Sequence, residues 1–322
     1  MMMPEHWRRF GFVLVCLFAA VGAACSGGDS DEGQGLRVVA TTTQIGDFVR
    51  NVAGEDVRLT VLLRPNQDAH DFEPEPSQIR ALADADLVLR NGIGLDTFVN
   101  RALEGSGAEV VVVSEGVRLR EGGEHEDEEE DEHEEDEEAH EEAAGNDPHV
   151  WLAVANAKVM VENVRQALRE ADAPNAALYD QNAQRYLAEL DTLEASIRQQ
   201  VATIPASCRK LVTNHDVLGY YADAYGLQVV GSVIPSATTE AQPSASDVAD
   251  IVDRIRAEGV SAIFAETSVN PALVQQVGRE ASVLVVEDLY GDSLGPTGSD
   301  GATYATMMES NTRKIVGALS SC

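Results

Sequence analysis

Three histidines in this chain stand apart from the rest. His70 lies in Asp68-Ala69-His70-Asp71-Phe72-Glu73-Pro74, His149 in Asp147-Pro148-His149-Val150-Trp151-Leu152, and His215 in Thr213-Asn214-His215-Asp216. Roughly 65 to 80 residues separate one from the next, the span of one or two βαβ units. Neutral imidazoles are ligands for transition ions, so a fold that gathers these loops would assemble a nitrogen-rich metal site. Of the other four histidines, His6 is near the start and His125, His133 and His140 fall in an acidic run. A fourth ligand is expected where the last strand ends, and Glu287, Asp288 and Asp292 are the carboxylates there. Gly291 and Gly295 flank Asp292 and let backbone approach closely. Glu266 ends the preceding strand, where it could ligate or orient a ligating histidine. Three imidazoles and one carboxylate suit Zn²⁺ in a closed tetrahedron, whereas Mn²⁺ prefers more oxygen.

The elements that must carry these residues alternate. Leu36 to Thr41, Val57 to Leu63, Ala85 to Arg90 and Glu109 to Ser114 read as strands. Helices are expected from Thr42 or Thr43 to Ala53, from the Pro74–Ser77 corner onward, and from Leu95 to Glu104. After Asn146 a helix is expected from Ala153 to Arg169. The second half repeats the alternation. Strands are expected at Arg209–Thr213, Leu227–Val233, Ala262–Glu266 and Val283–Glu287. Helices are expected at His215–Tyr225, Ala245–Glu258, Pro271–Glu280 and Tyr304–Leu319, with a glycine-rich loop from Gly291 to Gly301. Such alternation predicts an α/β fold with mainly parallel sheets. Nothing between Pro174 and Pro205 breaks a helix, and Leu178, Tyr186, Leu190, Leu193, Ile197 and Val201 form one apolar stripe. A helix of that length would run about 40 Å, too long for an ordinary crossover, and reads as a rigid connector between two lobes. The predicted layout is a lobe over 36–173, a linker helix over 174–205 and a second lobe over 206–322, with the metal site in the cleft between lobes.

The net charge is −32, and sixteen acids with no Lys or Arg lie between Glu121 and Glu142. Removing those sixteen still leaves −16, a field that attracts cations and disfavours nucleic acid. The segment 121–145 is expected to be a disordered surface loop, because it cannot bury enough apolar surface to order. Its His125, His133 and His140 would make it a weak collector of metal ions. Residues 1–24 read as a signal peptide: a short basic start, then an apolar stretch from Phe10 to Gly22. Ala23-Ala24-Cys25 resembles a lipoprotein cleavage box, although Gly22 stands where Leu is usual. Cys25 would then carry the lipid, residues 25–35 would be the tether, and no transmembrane helix would be needed. Cys208 and Cys322 remain in an oxidising compartment, where they could pair or stay free.

In this order, the three histidine segments, Glu266-Thr267-Ser268-Val269 and Gly291-Asp292-Ser293 resemble the zinc and manganese substrate-binding lipoproteins of bacterial ABC importers. The resemblance covers Leu36 to Leu319. It implies His70, His149, His215 and Asp292 as ligands, with Glu266 behind them or as an alternative ligand. Histidine at the third motif implies the zinc type, with Mn²⁺ the alternative cargo. It further implies a monomeric protein on the outer face of the cytoplasmic membrane or in the periplasm, with the importer's permease as partner. A secreted zinc hydrolase is the competing class. It would require an open metal position and a free base, and the sequence has no His-Glu-x-x-His helix. Affinity is expected to fall below about pH 6, where free imidazole protonates.

Overall fold

The computed structural model describes residues 35–121, 145–239, 241–320 and 322. The leader, Cys25 and its tether to residue 34, and the acidic run with His125, His133 and His140, lie outside the described residues.

The first lobe holds strands β1 (Leu36–Ala40), β2 (Val57–Val61), β3 (Leu87–Arg90) and β4 (Glu109–Val112) in the order β2-β1-β3-β4. All pairs are parallel, with Leu36 opposite Val57, Val38 opposite Leu87 and Leu87 opposite Glu109. Helix α1 (Thr43–Ala53) starts where the Thr42 hydroxyl accepts the Ile45 N–H, and it ends at Gly54, whose φ of 64° a side chain would resist. Helix α2 (Pro76–Ala83) begins at a capping box between Glu75 and Gln78. The helix expected from Leu95 to Glu104 is broken. A 3-10 turn at Thr97–Val99 leads into the short α3 (Asn100–Leu103). Asp96 causes the break: its carboxylate accepts from the backbone of Asn91 and Gly92, the Thr41 hydroxyl and the Arg90 guanidinium, which ties it to the strand ends instead.

Helix α4 (Val154–Ala171) leads to α5 (Ala176–Val201), the expected long linker. Its 26 residues correspond to about 39 Å of helix at 1.5 Å per residue. The buried stripe begins at Tyr179 rather than Leu178 and continues through Ala183, Tyr186, Leu190, Leu193, Ile197 and Val201. This linker is also core: it packs against α1, α4 and the last helix, and one apolar cluster runs from the first sheet through it into the second lobe.

The second lobe repeats the parallel plan with β5 (Lys210–Thr213), α6 (Gly219–Tyr225), β6 (Gln228–Ser232), α7 (Ala245–Glu258), β7 (Ala262–Glu266), α8 (Ala272–Ala281), β8 (Leu284–Leu289) and α9 (Tyr304–Leu319). The strand order is β6-β5-β7-β8. Its outer half encloses a separate small core of Val212, Ile251, Ile255, Ile263 and Val277. Two expectations shift here. Helix α6 starts four residues after His215, which leaves that histidine in an irregular turn. Strand β8 runs two residues past Glu287, because a register slip between Phe264 and Glu266 admits an extra residue there. Cys208 and Cys322 form a disulfide across 114 residues, with Cα atoms 5.8 Å apart, which ties the end of α9 to the start of β5.

Candidate metal centre

Each histidine occupies a loop that the fold turns toward one point. His70 follows β2, His149 caps a 3-10 turn before α4, and His215 follows β5. Asp292 follows β8. One donor atom from each of the four lies within 4.8 Å of the others. The Nε2 atoms of His70 and His149 are 3.1 Å apart, and those of His215 and His149 are 3.3 Å apart. Asp292 Oδ1 is 3.3 Å from His149 Nε2, 3.6 Å from His70 Nε2 and 3.8 Å from His215 Nε2. Three ring nitrogens and a carboxylate thus face one small volume. Neither Asp292 side-chain oxygen has an aligned hydrogen-bond donor, although both are buried. A carboxylate buried this way needs positive charge beside it, from protonated imidazole or from an ion, because desolvation without a partner is costly.

The surroundings hold the rings in place. Asp147 Oδ1 is 2.7 Å from His149 Nδ1 and also accepts the His149 N–H. Glu266 Oε1 stands 2.9 Å from His215 Nδ1 as an ion pair, and its Oε2 accepts the Asp292 N–H at 3.1 Å. Both carboxylates thus turn Nε2 inward. Glu266 therefore lies behind the site, and of the three carboxylates offered after the last strand, Asp292 is the one in it. Glu287 instead accepts from Gln275, and the Asp288 carbonyl accepts from Lys314. Close packing demands glycine at 291, since a Cβ there would collide with the Glu266 carboxylate.

Electrostatics follow from this crowding. Burial pushes the His149 pKa down, but the adjoining Asp147 and Asp292 carboxylates outweigh it and lift the group to about 10. Burial also opposes charge on His215, yet the carboxylates of Glu266 and Asp292 raise it above the ordinary imidazole value. For Asp292 burial alone would raise the pKa, but His70 and His215 hold it well below the usual carboxylate range. Without an ion, protons on His149 and His215 balance the acids. A bound ion must displace them.

Sequence reasoning missed the groups that pin the Asp292 loop to the first lobe. Gln44 Nε2 donates to the carbonyls of Gly291 and Asp292, and Trp151 Nε1 donates to the Gly291 carbonyl at 3.1 Å. Thr43 Oγ1 accepts the Leu294 N–H, and Tyr304 OH donates to the Trp151 carbonyl. Trp151 stood in a quoted motif, but nothing in sequence signals a contact 140 residues away.

Comparison with known proteins places this geometry. A family profile described as zinc-uptake complex component A, periplasmic (ZnuA), matches residues 38–318. The manganese-binding lipoprotein MntA of Halalkalibacterium halodurans is 33% identical over 315 residues, covering 97% of this chain and 98% of that one. The manganese ABC transporter substrate-binding lipoprotein PsaA of Streptococcus anginosus is 28% identical, covering 97% and 99%. Among solved structures, the periplasmic zinc binding protein TroA from Treponema pallidum superposes with a TM-score of 0.77 at 30% identity, covering 89% of this chain and 99% of that one.

Proposed function

We propose, because the chain belongs to the ZnuA family of metal-uptake components, that it captures a divalent transition ion outside the cytoplasmic membrane and delivers it to an ABC-type importer. It is a substrate-binding protein and not an enzyme. In this reading His70, His149, His215 and Asp292 hold the ion, residues 36–173 and 206–322 act as the holding lobes, and 174–205 is the rigid link. Cys25 is the lipid-bearing residue, and the importer's permease is the partner. Among the described residues no helix is long and apolar enough to cross a membrane, which suits an anchor of that kind.

The cargo we assign is Mn²⁺. The observation that carries it is Asp292, whose two oxygens are both free of aligned donors and both buried. A carboxylate able to give both oxygens makes an N3O2 set, richer in oxygen than a zinc tetrahedron. MntA and PsaA, both manganese proteins by name, support the same assignment. Zn²⁺ is the second reading, favoured by three imidazoles and by the zinc-binding TroA. Zinc binds an N/O site more tightly than manganese in nearly any geometry, so affinity alone does not identify the cargo. Uptake does. A strain lacking this chain should lose Mn²⁺ import and regain it on complementation, with Zn²⁺ import unchanged. Loss of Zn²⁺ import with Mn²⁺ import intact would reverse the assignment. The Mn²⁺-loaded protein should show five or more donors by X-ray absorption.

A hydrolase finds no support in this geometry. Besides Asp292, the acids beside the histidines are all engaged: Asp147 and Glu266 on ring nitrogens, and Asp68 on the His70 N–H and the Thr239 hydroxyl, so none is free as a general base.

A further inference from the structure

One cation outside the ligand set touches both lobes beside the ligands. Arg120 Nη1 is 3.4 Å from Asp147 Oδ2 and 3.3 Å from Asp216 Oδ2, and its Nε is 3.4 Å from Asp223 Oδ2. Asp147 belongs to the first lobe and holds the His149 ring, while Asp216 directly follows His215 in the second lobe. The backbone of Arg120 is fixed in the same place. Its N–H donates to Tyr220 OH, which donates in turn to the Asp147 carbonyl, and its own carbonyl accepts the Asp147 N–H at 2.9 Å. The second lobe leaves room for the guanidinium. A Cβ on Gly219, the first residue of α6, would collide with it. No part of the proposed cargo site needs this arginine for donors.

We propose that Arg120 is a positioning residue that locks the lobes together over the ion by pairing at once with Asp147 and Asp216. The inference rests on the cargo reading above. An exposed ion pair contributes little, but here Asp147 is fully buried and Asp216 nearly so, with side chains 0% and 11% exposed. Removing the partner of a buried charge leaves it uncompensated, and separating the lobes lets water replace that partner. The pairing therefore favours the closed state. It acts on how long the ion is retained more than on whether the chain folds.

The positive charge also repels a cation, so two effects oppose each other. Three carboxylates surround the guanidinium and offset its charge toward the site. The repulsion is therefore small and falls on association. The lock falls on dissociation and dominates.

The test is stopped-flow release of Mn²⁺, and separately of Zn²⁺, into a chelator from full-length protein in 0.15 M salt. Arg120→Ala should speed release about 10-fold or more while association changes less than about 3-fold, as truncating a buried partner mainly alters departure rates. Arg120→Lys should recover part of the loss, because an ammonium can pair but cannot fork. Asp223→Asn removes only the exposed leg, whose side chain is 70% accessible, and should change release by about 2-fold or less. Arg120→Ala should lower the melting temperature of the metal-loaded protein more than that of the metal-free protein. A parent that binds metal normally beside an Arg120→Ala protein with unchanged release would overturn the lock alone. Equal loss of melting temperature with and without metal would also overturn it, by showing a general role in folding. A parent that takes up neither ion would overturn the cargo reading and the lock with it.

Discussion

His149 and His215 rest their Nδ1 atoms against Asp147 and Glu266, deep in the molecule, whereas His70 sits in a loop steadied by other means. Its backbone N–H donates to Asp68, two residues back, and Asp68 accepts the Thr239 hydroxyl from the opposite lobe at 2.6 Å. The side chain of His70 is 4% exposed, while those of His149, His215 and Asp292 are fully buried. The floor of the site is thus preset by buried carboxylates, and the mouth is closed by a contact between two loops. A preset floor gives affinity without ordering cost, and a mouth held by loop-to-loop polar contacts gives a route in and out. Burial and the nearby Asp292 charge raise the Asp68 pKa, so the mouth also carries an acid that a bound cation would stabilise in its charged form.

Experiments that separate floor from mouth should show a graded series. Removing a floor ligand has the largest effect. His215→Ala or His149→Ala should weaken Mn²⁺ binding on the order of 10³-fold or more in calorimetry, since one of three imidazole donors and the buried geometry are lost. Next comes the support behind the floor. Asp147→Asn and Glu266→Gln should each cost about 10- to 100-fold, because a neutral partner no longer fixes the ring or balances the ion. If these two cost less than a change at Thr239, the floor is not the preset half.

Acidity probes the same contrast. His149 is lifted to about 10, so its metal-free form keeps a proton throughout the neutral range, and an ion must displace it. A raised pKa means the proton competes up to that value, so affinity should climb steadily from pH 6 to 9. The rise should approach about 10-fold per unit for each proton displaced. This moves the break upward from the value near 6 expected of free imidazole. The cause is tertiary: Asp147 and Asp292 converge on a ring that burial alone would have neutralised. Affinity that levels off above pH 7 would show that the floor is neutral before metal arrives.

Smaller effects belong to the mouth and the surface. Thr239→Val should speed release about 2- to 5-fold with little change in equilibrium affinity, the low end of what one part-buried hydrogen bond contributes. Deleting residues 122–144 while keeping Glu121 and Asn146, which bridge to one another, should change affinity by less than about 2-fold at 0.15 M salt. A larger loss would make the acidic run part of the site.

Much of this was legible from residue order. The β/α alternation, the long unbroken stretch after Pro174 and the three solitary histidines predicted two parallel-sheet lobes and the residues that meet. Misses came where a side chain competed with local propensity. Asp96 broke a helix by bonding to strand ends, and the turn at His215 delayed α6 by four residues. The zinc preference rested on three imidazoles with one carboxylate and on histidine at the third motif, and how the Asp292 carboxylate meets the ring nitrogens was not visible in sequence. Gln44, Trp151 and Arg120 carried no signal, because their partners in the opposite lobe lie 96 to 248 residues away.

By itself the sequence determined the alternation of elements and the chemical types that could bind an ion, since both follow from local periodicity and from the donor atoms each residue carries. Only the tertiary structure decided which carboxylate joins the histidines. Glu266, Glu287, Asp288 and Asp292 are equivalent as acids. The register slip against β7 and the close approach allowed at Gly291 turn one of them inward, put Glu266 behind the ring of His215, and leave the other two elsewhere.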